Sequence, residues 1–214
     1  MKIIDLTHTV EEEMPVYPGT EQPSLTPAYT LGQNGFSETK ISLFSHTGTH
    51  IDPPAHIIAG GRTLDSFDAS DFVGRGIAVD CREIERGGRI SLDLLLGLGE
   101  ELRQADFILL CTGWDKLWGR EEYFRGYPTL SPEALEYIIS LPCRGIGLDV
   151  MSLDSIENGN ISLHKRWLSA REAIIIENLR GLDALIGERF TFCSLPLKLR
   201  NSDGAPTRAI AIVE

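Results

Sequence analysis

Two stretches, 106–112 and 173–177, are apolar where a half-exposed strand would alternate: Phe107-Ile108-Leu109-Leu110-Cys111 and Ala173-Ile174-Ile175-Ile176. A strand with water on one face places a polar residue at every second position, so these two must be covered on both faces. The chain therefore needs a sheet with protein on either side. Shorter β-branched runs bounded by turn residues, at 2–6, 39–44, 76–80, 145–149, 189–195 and 209–213, read as further strands. Helical stretches fall among them: 92–104 behind an N-cap at Ser91, 132–139 with Ser131 as N-cap and Pro132 at N1, and 162–170. The order is mixed. The expected architecture is α/β, with a mixed sheet that curves or closes like a barrel and carries flanking helices.

No repeat, linker or charge block divides the 214 residues, about 1.4 times a typical ~150-residue domain, so a single domain over 1–214 is expected. Hydrophobic residues at 42% and charged residues at 24% exclude a disordered or fibrous chain. Lys plus Arg number 20 against 31 Asp plus Glu, and the net charge of -11 disfavours a nucleic-acid partner. No apolar run approaches the ~18 residues of a membrane span. The N-terminus turns acidic at Asp5 and again at Glu11, Glu12 and Glu13, which leaves no apolar core for a signal peptide. A cytoplasmic protein without a membrane partner is expected. Cys81, Cys111, Cys143 and Cys193 stand 30 or more residues apart with no Cys-x-x-Cys pair, and are expected as buried, reduced thiols.

Three of only five histidines, His46, His50 and His56, fall within eleven residues that also hold Asp52, Gly48 and the pair Pro53-Pro54. A helix would put His46 and His50 on one face, but Gly48 and the prolines are poor helix residues. In extended chain His50 and Asp52 share a face about 6 to 7 Å apart, whereas His46 would lie roughly 20 Å from Asp52. The backbone must bend between them. Thr47-Gly48-Thr49 supplies the bend because glycine admits positive φ, and Pro53-Pro54 stiffens the exit so that His56 is held beside the site. A polar loop whose histidines bond only backbone is the alternative; the clustering of ligand-type side chains favours a metal site.

The string His46-x-Gly48-Thr49-His50-x-Asp52-x-Pro54-x-His56 resembles the signature of the metal-dependent cyclase family, which includes bacterial kynurenine formamidases and isatin hydrolase. Supporting stretches occur in the family's order: Asp5-Leu6-Thr7, Pro15 to Gly19, Thr112-Gly113-Trp114, Gly147-Leu148-Asp149 with Ser152 and Asp154, and Ile176-Glu177-Asn178-Leu179. The resemblance covers nearly the whole chain. It implies the family's swivelling β/β/α fold and two divalent ions. His46, His50 and Asp52 would hold one ion, and Asp52 would bridge to a second completed by His164 and Glu177. Glu172, beside Arg171, is the rival carboxylate; a solvated ion pair is its more ordinary role. A homodimer or larger homo-oligomer is implied too.

All five implied ligands offer nitrogen or oxygen, which suits zinc first and manganese second and does not suit copper(I) or an iron–sulfur cluster. Such ions generate a metal-activated water and polarise a carbonyl, which makes hydrolysis natural; the resemblance implies a small amide C–N bond, with N-formylkynurenine as the first substrate to try. The leaving amine needs a positioned acid, and His56, with an ordinary pKa of ~6.5, can take a proton from water and return it to nitrogen. Ring opening of a lactam or lactone, a dehydration, or metal binding without catalysis stand as alternatives. Tyr17 sits where kynurenine formamidases characteristically carry a tryptophan, and could stack on an aromatic substrate. Trp114 and Trp118 are expected to pack the core.

Overall fold

The computed structural model describes residues 1–214, the side chain of Asn158 excepted. Its strands are β1 (Lys2–Asp5), β2 (Ser24–Tyr29), β3 (Glu38–Ser42), β4 (His50–Asp52), β5 (Val73–Asp80), β6 (Arg89–Ile90), β7 (Phe107–Cys111), β8 (Thr129–Leu130), β9 (Gly145–Leu148), β10 (Ile174–Glu177), β11 (Phe190–Pro196) and β12 (Ala205–Val213). Helices are α1 (Leu31–Asn34), α2 (Leu92–Leu96), α3 (Gly99–Arg103), α4 (Pro132–Ser140) and α5 (Ser162–Ala170).

Seven strands close on themselves in the order β12-β11-β5-β7-β9-β10-β4, because β4 pairs with β12 as well as with β10, and β1 adds to β12 outside the ring. Strands β5, β7, β9 and β10 run parallel. The helices between them in sequence, α2 to α5, lie outside, as parallel crossovers require.

The closed sheet explains the doubly apolar strands. Along β7, Phe107, Leu109 and Cys111 join one core cluster with Ile51, Phe190, Phe192 and Ala209, while Ile108 and Leu110 join a second with Leu135, Ile138, Trp167 and Leu168 of the helices. Strand β10 alternates likewise, Ile174 and Ile176 into the first cluster and Ile175 into the second. One cluster fills the barrel; the other cements the helices onto its outer wall. Burying these side chains contributes roughly 1.5–3 kcal/mol each before chain entropy is counted.

The expected helix over 92–104 is two short ones. Ser91 caps α2, accepting from Leu94 N–H at 3.3 Å, but Gly99 has φ +55°, which a right-handed helix cannot continue. Ser131 caps α4 as its sequence suggests, accepting from Ala134 N–H at 3.1 Å. Strand β2 has no expected counterpart, because Pro27 lies inside it; it pairs only with β3, as a hairpin standing off the barrel. Strand β12 starts at Ala205, ahead of the expected 209, and Pro206 there faces His50 of β4. All four cysteines are free thiols, and Cys193, expected to be buried, is partly exposed. Among the described residues, no helix is long and apolar enough to cross a membrane.

Candidate metal centre

The bend falls at Gly48, whose φ is +65°. Beyond it β4 runs extended, so Ile51 points into the barrel core while His50 and Asp52 point outward together. Strand β10 pairs antiparallel with β4, setting Glu177 directly opposite His50 and Ile175 opposite Asp52. Helix α5 brings His164 over the same face from its first turn. That turn is capped at a distance by Asp154, whose carboxylate accepts from the N–H groups of Leu163 and His164, both at 2.9 Å.

These elements gather four buried side chains, His50, Asp52, His164 and Glu177, with the half-buried His46 at the rim. Asp52 faces both ways. Its Oδ1 lies 2.6 Å from His46 Nδ1 and 3.2 Å from His50 Nε2, and its Oδ2 lies 3.8 Å from His164 Nε2. Glu177 Oε1 is 3.1 Å from His164 Nε2, and Oε2 is 3.6 Å from His50 Nε2. The Leu153 N–H fixes Glu177 by donating to Oε1 at 3.0 Å. Two imidazoles have their outer nitrogens engaged: His164 Nδ1 bonds Asp154 Oδ2 at 2.7 Å, and His50 Nδ1 bonds the Gly48 carbonyl at 2.8 Å. A carbonyl only accepts, so Nδ1 of His50 carries a proton, and Nε2 is the nitrogen that faces the carboxylates.

Burial works against an imidazolium at His50, yet Asp52 and then Glu177 outweigh it and hold the ring at about 9. At His164, burial is likewise overcome, by Asp154, Asp52 and Glu177, and its pKa lies well above the ordinary value. Burial would raise the Asp52 carboxyl, but His50, His164 and His46 keep it well below the usual carboxylate range. Buried carboxylates that draw protons onto neighbouring imidazoles are a site short of positive charge.

Two triplets of donor atoms, His46-His50-Asp52 and Asp52-His164-Glu177, each lie within 4.8 Å of one another and could each hold an ion. His46 Nε2 is buried without a hydrogen-bond partner, a further donor without an occupation. The donors are nitrogen and oxygen only, so this set fits a zinc- or manganese-like dication.

His56 ends a short 3-10 turn that starts at Pro54. Its ring centroid lies 4.0 Å from that of His46 and 6.3 Å from that of His164, at the mouth of the site. The protein packed around the ring lowers its pKa, against the pull of Asp52 and with the help of His46. A cavity of about 260 Å³ opens over the histidines and carboxylates, walled by Tyr17, Thr20, Phe44, Met151, Ser152 and Ile161. Tyr17 is 45% exposed and edges this cavity. Glu172 is elsewhere: exposed, it pairs with Arg62 at 3.1 Å, while its neighbour Arg171 donates to the Cys143 carbonyl. The expected solvated pair is real, but its partner is 110 residues away in sequence. Trp114 and Trp118 pack against the outer core cluster as expected, and Trp118 also stacks on His8 with ring centroids 3.9 Å apart.

Three residues that touch the site gave no signal of a role in the sequence. Asp154 and Asn178 lie in family-like stretches, but what they contact depends on the fold. Gly204 lies against the His46 ring, where a Cβ would stand 2.6 Å from Nε2.

The model of the Cyclase family matches residues 4–155, and this chain belongs to that family. The closed sheet and the buried nitrogen and oxygen donors accord with that membership. A solved structure described as a potential metal-dependent hydrolase with cyclase activity is 31% identical, with TM-score 0.81 over 98% of this chain and 96% of its own. The kynurenine formamidase of Geobacillus thermodenitrificans is 26% identical over 212 residues, 96% of this chain and 95% of that protein. An isatin hydrolase bound to the product analogue thioisatinate shares the fold, with TM-score 0.85 at 21% identity over 100% of this chain and 93% of that one.

Proposed function

We propose that this chain hydrolyses the C–N bond of a small amide with two divalent ions, and that N-formylkynurenine is the first substrate to test. The observation that carries the reading is Asp52, one oxygen turned to His46 and His50 and the other to His164. We assign His46, His50 and Asp52 to one ion, and Asp52, His164 and Glu177 to the other. When bound, zinc or manganese would supply Lewis-acid polarisation of the carbonyl and a water of lowered pKa.

The chain's own residues do the rest. His56, at the mouth and free of the carboxylates, takes a proton as the nucleophile forms and returns it to the leaving nitrogen. Tyr17 and Phe44 offer flat apolar walls to a planar substrate. The kynurenine formamidase relative supports the amide reading, and a cyclic lactam such as isatin is the second candidate.

A homodimer fits the hairpin. Residues 24–42 hold only Glu38 and Lys40 as charges in a chain of net charge -11, and Leu31, Phe36 and Ile41 are exposed on it. An isolated hairpin is marginal in water, and a second copy would cover it. The free cysteines suit a reducing, cytoplasmic setting.

Elemental analysis of the purified protein, followed by a panel of one formamide, one lactam and one lactone with zinc and then manganese, tests the proposal. Two ions per chain are expected. Asp52→Ala should lose both and His164→Ala mainly one. Full metal content in Asp52→Ala would refute the bridge, and an inert protein that keeps its metals would favour a purely structural role.

A further inference from the structure

We propose that Ser152 is a further catalytic residue: its hydroxyl donates a hydrogen bond to the acyl oxygen of the substrate and holds that oxygen as it gains charge. The inference rests on the reading of the site as an amide hydrolase and deepens it by one residue.

Among the described residues three serines are buried, and two of them are satisfied within the protein. Ser194 Oγ pairs with Thr207 Oγ1 at 3.1 Å, and Ser202 Oγ donates to the Gly204 carbonyl. Ser152 is the exception. It is 7% exposed, yet among the described residues its Oγ has no hydrogen-bond partner, and it lines the cavity over the metal centre. Buried hydroxyls are costly to leave unpaired, so a free one on a cavity wall is a group available to a ligand.

The backbone on either side of it is pinned. The Val150 carbonyl accepts from Asn178 N–H at 3.1 Å, and Leu153 N–H donates to Glu177 Oε1 at 3.0 Å. Met151 and Leu153, its neighbours in the chain, are both buried in the outer core cluster. A hydroxyl on so fixed a segment is already in place before the reaction, which is what makes a donor effective against developing charge.

Depth decides which atom it meets. Tyr17 and Phe44, 45% and 51% exposed, form the rim of the cavity. His56 stands at the mouth, against the His46 ring. Ser152 lies with the buried His164 and Glu177, to which the adjacent Asp154 and Leu153 bond. An amide with its ring on the rim and its nitrogen turned to His56 presents its acyl oxygen to this inner end. The carboxylates there, Asp52 and Glu177, accept and so cannot donate to that oxygen. The other hydroxyls on the cavity, of Tyr17 and Thr20, are not buried. Ser152 gives up no proton: its O–H stays intact, and its bond to the acyl oxygen strengthens as the carbonyl becomes tetrahedral and negative.

Ser152→Ala is the test, read in two ways. The first needs no turnover. Metal-free protein is melted, and because the hydroxyl has no protein partner, its removal should leave the melting temperature level or higher, whereas loss of a hydroxyl bonded within the fold would lower it. The second is steady-state kinetics at saturating zinc with formanilide, its ortho-acetyl derivative and an N-alkylformamide, the metal content of both proteins being checked by elemental analysis. The expected fall in kcat is about 10- to 150-fold, the worth of one hydrogen bond to a charged group. KM should hardly change, as for an interaction made only in the transition state, and the factor should be the same for all three substrates, since they share the acyl group. Wild-type kcat in the variant overturns the assignment and leaves the amide reading standing. A loss confined to the ortho-acetyl substrate overturns it too, because that would set Ser152 against the ring. A lowered melting temperature does the same by giving the hydroxyl a structural partner. Wild-type protein inert toward all three substrates sinks the amide reading and this assignment with it.

Discussion

Gly204→Ala adds one methyl group, and the structure says where it goes. The new carbon would lie 2.6 Å from His46 Nε2 and 2.9 Å from Nδ1, so the ring must recede by about 1 Å to reach ordinary contact. His46 has room to yield, its side chain being 23% exposed, which places the cost near the lower end of the ~1–3 kcal/mol usual for overpacking. The melting temperature of metal-free protein should fall by about 2–4 °C per kcal/mol. The larger effect is on the ion. His46 Nδ1 is 2.6 Å from Asp52 Oδ1, and a shift of that size spoils its place in the donor triplet, which we expect to weaken zinc binding on the order of 10- to 100-fold. Chelator competition and paired melts with and without zinc measure both. The same substitution on a His46→Ala background should cost almost nothing, since the methyl then meets no ring. Equal losses on the two backgrounds, or wild-type zinc affinity in the single variant, would refute the contact as the cause.

His56→Ala should keep both ions and lose on the order of 10² to 10⁴ in kcat; wild-type turnover at saturating metal would remove His56 from the mechanism. Tyr17→Ala should raise KM for an aryl amide about 2- to 12-fold, from ~0.5–1.5 kcal/mol of stacking, and leave an aliphatic amide nearly unchanged, so equal shifts for both would make Tyr17 a loop residue. His8 supplies a pH dependence. Burial, then the charge of Arg180, lowers its pKa to about 4. An unfolded chain takes up this proton near ~6.5, so His8 withdraws stability progressively as pH falls from there to about 4. The total is on the order of 3 kcal/mol at most. His8→Phe, which keeps a ring against Trp118, should flatten that part of the stability curve relative to wild type, and superimposable curves would show that His8 does not titrate as argued.

The residue string from His46 to His56 was legible because its geometry is local. A glycine bend, a two-residue period and a proline exit act over a few bonds, and the structure has all three at the expected places. The barrel was legible in kind from Phe107 to Cys111, since a strand with no polar face can only be covered on both sides. Of the hairpin, β3 was legible as a strand at 39–44, but β2 was not, because Pro27 breaks its strand pattern and its apolar side chains face no core. The division of 92–104 was missed because glycine in a helical pattern is only a weak signal until its φ is known.

Sequence alone thus singled out candidate side chains, His164 and Glu177 only through the family resemblance, and indicated that two strands of their sheet are covered on both faces. Tertiary structure decided how they meet. Glu177 stands opposite His50 because β10 pairs with β4 in one register, and a slip of one residue would have turned it into the barrel. Asp154 backs His164, Asn178 reaches Gly48 and Gly204 lies against His46 across separations that no local pattern encodes. Periodicity and turn chemistry depend on neighbours in the chain, whereas these contacts depend on closing a seven-stranded ring, a property of all the strands at once.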